Sequence, residues 1–202
     1  MSQKGGAGKT NIAVNLAVAA DRLGMAAAVI DIDPQVSAAR WGDSRHSESP
    51  PVISAHAERL SHFLETCRKN SAELVIVDTA PHAENAALTA ARQADFILIP
   101  CRPSIVDLRA IESTINIVRL AGKPACVVLN QAQVRGSLTQ EAAEAVRDVG
   151  VDLVPTEIIS RVAFIYAFTT GLGVQEYEPE GKAAQEIEAL FTHIQTVLKE
   201  TK

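Results

Sequence analysis

The sequence predicts an α/β fold, a mostly parallel central sheet with helices on both faces, and three observations carry that reading. Short apolar runs such as "ELVIVDTAP", "DFILIP" and "PACVVLN" recur along the chain. Segments with helical spacing separate them, which requires right-handed crossovers and parallel strands. The runs are continuously apolar rather than alternating, as expected of strands covered on both faces.

Taken in order, "TNIAVNLAVAADRLG" places Ile12, Leu16, Ala19, Ala20 and Leu23 at helical spacing, and Gly24 supplies a stop. "MAAAVIDIDP" reads as a strand with Asp31 and Asp33 at its carboxyl end, closed by Pro34. "PVISA" is a weaker strand, followed by the helical "ERLSHFLETCRKN". The strand "ELVIVDTAP" carries Asp78 at its end, "DFILIP" follows, and "PACVVLN" ends on Asn130. "VDLVPTEI" is the last short strand expected. In open parallel sheets ligands gather at the carboxyl ends of strands, where Asp31, Asp33, Asp78 and Asn130 all fall.

Composition sets the bounds. At 202 residues, 47% hydrophobic and 21% charged, the chain fits one globular domain spanning 1–202. No apolar run of about 18 residues and no signal pattern is present, so a cytoplasmic protein is expected. Cys67, Cys101 and Cys126 are odd in number and far apart, which suggests neither a disulfide framework nor a zinc site. A net charge of -5 gives no global attraction for nucleic acid, so any DNA contact must come from a local patch.

The first helix is preceded by "KGGAGKT". The strict P-loop pattern G-x-x-x-x-G-K-[ST] fails at one position, where Gln3 stands for the first glycine. What remains still suits phosphate. Gly5, Gly6, Ala7 and Gly8 let the backbone approach an anion at a helix amino terminus, Lys9 meets the terminal phosphates, and the Thr10 hydroxyl can ligate magnesium. A P-loop ordinarily follows a buried strand, yet only Met1, Ser2 and Gln3 precede Lys4. The leading strand is expected to be truncated here or to lie upstream, because deleting a central strand would leave unpaired edges and a hole in the core. Taken one at a time, aspartates after strands also cap loops by accepting backbone hydrogen bonds.

With "KGGAGKT", "VIDIDPQ", "LVIVDTAP" and "VVLNQ" in this order, the chain resembles the ParA/MinD family of deviant Walker A ATPases. Lacking an amino-terminal helix-turn-helix segment, it is most similar to the small, ParF-like ParA type. The resemblance implies roles for particular residues. Lys4 would reach across a dimer interface to the nucleotide of the other subunit, making an ATP-sandwich homodimer a report of ATP occupancy. Asp33 would position the attacking water alongside Lys4 and Lys9, Asp31 would support the magnesium shell or the loop, and Asp33 and Asp78 would reach magnesium through water. Asn130 would offer its amide to adenine. Asn11 replaces a usual threonine or serine, and its amide can still donate to the α-phosphate. Pro103 and Asp107, in "RPSIVDLRAIE", fall near the family's dimer interface.

The implied function is a slow, partner-stimulated ATPase that uses ATP and magnesium. Its ATP dimer would bind DNA without sequence preference and associate with the nucleoid, and a ParB-like or other adaptor would stimulate hydrolysis. The cycle would position a bacterial plasmid, chromosome origin or protein assembly. Arg135, Arg161, Lys182, Lys199 and Lys202 are the candidate DNA contacts, with solvated surface charge as the other reading. Three alternatives stay open, one of them a nucleotide-dependent scaffold with negligible turnover. MinD-like membrane positioning needs a terminal amphipathic helix, and "AAQEIEALFTHIQTVLKE" has Ile187, Leu190, Phe191, Ile194, Val197 and Leu198 along one face. Its polar face carries Glu186, Glu188 and Glu200 with few basic residues, so core packing is expected instead. A metabolic enzyme on the same scaffold would need an acceptor pocket, for which the motifs give no sign.

Overall fold

The computed structural model describes residues 1–3, 5–134 and 137–200. Its elements run α1 (Lys9–Arg22), β1 (Ala27–Asp31), α2 (Ser37–Asp43), β2 (Val52–Ser54), a 3-10 turn (Ala57–Arg59), α3 (Leu60–Lys69), β3 (Leu74–Asp78) and α4 (Glu84–Gln93). They continue with β4 (Ile97–Cys101), α5 (Ile105–Ala121), β5 (Ala125–Ala132), α6 (Leu138–Asp148), β6 (Asp152–Leu153), β7 (Ile158–Ile159), α7 (Val162–Thr169), α8 (Val174–Tyr177) and α9 (Lys182–Glu200).

The described strands pair in parallel throughout. One ladder has the order β2-β1-β3, and the other β4-β5-β6 with β7 also on β5. Among the described residues no strand joins β3 to β4. The residues before the glycine loop attach instead to the second ladder and its helix: the Met1 amino group donates to the Leu98 carbonyl of β4, and the Gln3 N–H to the Thr114 hydroxyl of α5 at 3.1 Å.

The alternation of side chains along each strand assigns the helices to faces. Cys126 and Val128 of β5 pack with Ile12 and Leu16 of α1 and with Ile187, Leu190, Phe191 and Ile194 of α9. Val127, one residue out of phase, packs on the other side with Ile111 and Ile115 of α5 and Val146 of α6. In β1, Val29 meets Val14 and Val18 of α1 and Trp41 of α2, while Ala28 and Ile30 meet Leu60 and Cys67 of α3. Burial on both faces is why these strands are apolar at every position.

Three details differ from the sequence reading. Leu23 closes α1 as its carboxyl cap and is 66% exposed, because the chain has already left the helical face at that point. "VDLVPTEI" divides into β6 and β7, since Pro155 between them has no N–H to give to a ladder. The short helices α2, α7 and α8 carry no long periodic pattern and are set by tertiary packing. The apolar face of α9 is core, as its acidic polar face suggests, and among the described residues no helix is long and apolar enough to cross a membrane.

Candidate functional site

The glycine loop turns into α1 through two left-handed residues, Gly6 at φ 78° and Gly8 at φ 82°. Gly8 is required twice over. A side chain would be strained at that φ, and a methyl group there would lie 2.2 Å from Nδ2 of Asn130. That amide donates to the Ala7 carbonyl at 2.7 Å, and its oxygen accepts from the Gln131 N–H at 2.9 Å. Gln131, itself left-handed at φ 55°, reaches the Gly6 carbonyl with Nε2 at 3.3 Å. The end of β5 thus holds the loop open at the amino terminus of α1, where backbone N–H groups and the helix dipole favour an anion. The placement adds a loop-bracing function to Asn130, which the sequence offered to adenine.

Lys9 and Thr10 open α1. The Thr10 hydroxyl donates to Oδ2 of Asp78 at 2.6 Å. Burial pushes the Asp78 carboxyl up to about 6; the Thr10 hydrogen bond opposes that, and Asp31 in register beside it adds to it. Burial lowers the Lys9 ammonium from its usual value, against the pull of Asp78 and Asp33. Nucleotide phosphates would return negative charge to both groups' surroundings.

Asp31 and Asp33 separate in role. Asp31 is fully buried, with Oδ1 accepting from the Asp33 N–H and Oδ2 from the Ala39 N–H, each at 3.0 Å. Both its oxygens therefore hold the turn from β1 into α2, the loop alternative of the two that the sequence left open. Asp33 is half-buried, and its Oδ1 accepts from the Gln35 N–H at 2.9 Å. Among the described residues no group of three or more His, Cys, Asp or Glu side chains is placed to hold a metal. A magnesium ion would fit as a partner of phosphate oxygens, with the Thr10 hydroxyl and the carboxylates of Asp78 and Asp33 to meet it, in keeping with how that ion is usually held.

The other candidates scatter. Asn11 turns its amide nitrogen to the Phe164 carbonyl of α7 at 3.4 Å, while Asn15 donates to Oδ1 of Asn11 at 3.0 Å, so this side chain ties α1 to α7. Arg161 is ion-paired, with its side chain 25% exposed: its Nε donates to Oε1 of Glu186 at 3.0 Å, and Oε2 of that carboxylate accepts from the Ile159 N–H. Lys182 and Lys199 are exposed at opposite ends of α9. Pro103 is half-buried, and Asp107 is only 4% exposed, paired with Arg102 and Ser104. Lys4, Arg135 and Lys202 lie outside the described residues.

Sequence reasoning passed over three side chains here. Arg102, directly after β4, brings its guanidinium beside Gly6. Gln131 braces the loop as described, and the Thr79 hydroxyl, buried next to Asp78, has no hydrogen-bond partner among the described residues. The signal was available, since all three stand at carboxyl ends of parallel strands.

A helix whose first turn follows a glycine loop, with its hydroxyl on a strand-end carboxylate, places the protein among P-loop nucleotide-binding folds. The chain belongs to the family described as the CobQ/CobB/MinD/ParA nucleotide binding domain, whose model matches residues 1–174. It is 30% identical over 202 residues to maintenance of carboxysome distribution protein A of Halothiobacillus neapolitanus (strain ATCC 23641 / c2), covering 95% of this chain and 92% of that one. The fold is similar to that of the septum site-determining protein MinD complexed with Mg-ADP from Pyrococcus horikoshii OT3, with a TM-score of 0.77 at 18% identity, over 100% of this chain and 96% of that one. It is similar also to the Cyanothece McdA(D38A)–ATP complex, with a TM-score of 0.76 at 17% identity, over 98% and 94% of the two chains.

Proposed function

We propose that the protein is an ATPase that positions a cellular cargo through an ATP-dependent homodimer. The observation that carries this reading is the Thr10–Asp78 pair at 2.6 Å beside the glycine loop. A hydroxyl and a carboxylate side by side at the amino end of a helix suited to phosphate support a site that would meet a nucleotide-borne magnesium ion.

In the proposed reaction water attacks the terminal phosphorus of ATP and displaces ADP, giving ADP and phosphate. Magnesium, when bound, supplies charge neutralisation on the phosphate oxygens. The protein's own contributions are positional. Gly5 to Gly8 direct backbone N–H groups to the phosphates, and the Lys9 ammonium neutralises the terminal pair. Asp33, held by its turn but with a half-buried carboxylate, orients the attacking water. Asp78 acts through water and fixes Thr10. Lys4 from the second subunit would complete the charge balance, so that the dimer forms with ATP and falls apart after hydrolysis.

The likeness to carboxysome-distribution proteins favours a protein compartment as cargo over a plasmid or chromosome origin. The carrier would be non-specific DNA, met by the exposed Lys182 and Lys199 and by Arg135 and Lys202, and an adaptor protein would stimulate hydrolysis. A membrane-bound mode is less well supported, because the apolar face of α9 is already packed on α1 and β5.

Phosphate release and molar mass by light scattering test the reading together, with ATP and magnesium, for the wild type, Asp33→Ala and Lys4→Ala. The wild type should release phosphate slowly and dimerise only with ATP. Asp33→Ala should bind ATP without releasing phosphate, and Lys4→Ala should stay monomeric. A wild type that binds ATP yet neither dimerises nor releases phosphate, with or without DNA, would sink the proposal.

A further inference from the structure

Arg102 is the first residue after β4, at the sheet edge where the strand ends and the glycine loop meet. A methyl group on Gly6 would lie 3.6 Å from its Nη1, so one end of the guanidinium faces the loop backbone. The other edge is held. Nε and Nη2 each donate to Oδ1 of Asp107 at 3.2 Å, and Nη2 lies 3.1 Å from Oδ2. Asp107 is in turn fixed in the first turn of α5, where its N–H donates to the Ser104 hydroxyl at 3.1 Å and that hydroxyl donates back to its carboxylate. The Arg102 side chain is 34% exposed and that of Asp107 only 3%, so a buried carboxylate aims a partly open cation.

A surface arginine has no need of such an anchor. Anchoring removes rotamer freedom before any ligand arrives, and the planar fork keeps its charge at every physiological pH. The free edge of the fork offers donors in the plane that phosphate oxygens accept best. Its position beside Gly6 puts those donors among the backbone groups that would receive the phosphate chain.

We propose that Arg102, positioned by Asp107, is a phosphate-binding residue of the nucleotide site and raises its preference for nucleoside triphosphate over diphosphate. The inference rests on the nucleotide-binding reading above. Arg102 is the contacting residue and Asp107 the positioning one. A third phosphate adds charge and acceptor oxygens, so the contact is worth most when the triphosphate is bound.

The experiment is calorimetric titration of the full chain with ADP and with a non-hydrolysable ATP analogue, each with magnesium. The proteins are the wild type, Arg102→Ala, Arg102→Gln, Arg102→Lys and Asp107→Asn, with thermal denaturation as the folding control. Loss of a charge-assisted contact predicts about tenfold or greater weakening for the ATP analogue in Arg102→Ala, with a clearly smaller change for ADP. Arg102→Lys should recover only part of this, because a point charge cannot both pair with Asp107 and span phosphate oxygens. Asp107→Asn should shift the same ratio in the same direction. Arg102→Gln keeps the length of the side chain and stands in for Arg102→Ala if that variant does not fold. An unchanged ratio of the two affinities in a folded variant would overturn the proposal, since a purely structural Arg102 moves both nucleotides together. If the wild type binds neither nucleotide, the nucleotide-site reading itself is what fails, and this inference goes with it.

Discussion

Asn130 and Gly8 are mutually exclusive with any larger pair. The Asn130 amide nitrogen donates to the Ala7 carbonyl at 2.7 Å, and a methyl group on Gly8 would lie 2.2 Å from that nitrogen. Gly8→Ala should therefore displace Asn130, strain the left-handed loop and abolish nucleotide binding. Asn130→Ala should cost about 1 kcal/mol of stability through the lost hydrogen bonds and weaken binding of ADP and ATP alike. Equilibrium titration with both nucleotides checks this. Tight binding by Gly8→Ala would show that the loop does not adopt this geometry when loaded.

Val36 stands at φ 48° at the amino end of α2, in the turn that holds Asp33. A β-branched residue there stores about 1–3 kcal/mol of strain, more than the roughly 0.5–1 kcal/mol that a glycine loses in chain entropy. Val36→Gly is expected to raise the unfolding midpoint in urea. A lower midpoint would mean that the valine side chain contributes more through packing than its backbone costs.

Arg45 and Glu176 tie the end of α2 to α8 at 2.9 Å, with the guanidinium over the Trp41 ring. Burial alone would raise the Glu176 carboxyl, but Arg45 and the Gly173 N–H together hold it below its usual value of 4.5. A depressed carboxyl stabilises the fold above the unfolded value and stops doing so as pH falls through the folded one. The wild type should thus lose this contribution only below pH 4.5, whereas Glu176→Gln should lack it at neutral pH. The expected loss is about 2 kcal/mol, because the buried guanidinium keeps its carbonyl partners. Denaturant melts of both proteins at pH 7 and pH 4 measure the difference, which should shrink at the lower pH.

The three cysteines are buried, and burial pushes Cys101 up to about 12 and Cys126 up to about 11. Thiolate is the reactive form, so alkylation by iodoacetamide at pH 8 should be slow in the folded protein and rapid in denaturant. Mass spectrometry after timed quenching reads the outcome. Fast labelling of Cys101 in the native state would show that the Arg102–Asp107 end of β4 opens readily.

The alternation of strands and helices, the glycine loop and the aspartates at strand ends were all legible in the amino-acid order. Each of these is written in contiguous residues: periodicity reports which faces are buried, and a phosphate loop needs its glycines side by side. Which polar residues work together emerged only from the packing of the folded chain. Asp31 and Asp33 are equivalent as letters, but the turn into α2 engages both oxygens of Asp31 and, through the Gln35 N–H, Oδ1 of Asp33. Arg161 reads as a free cation until α9 brings Glu186 to it, across 25 residues of chain. Arg102 reads as an ordinary loop residue until β4 carries it beside Gly6 and α5 supplies Asp107. Pairings of this kind depend on which strand ends the sheet makes adjacent, and that order is fixed by packing among elements remote in sequence, not by any local pattern.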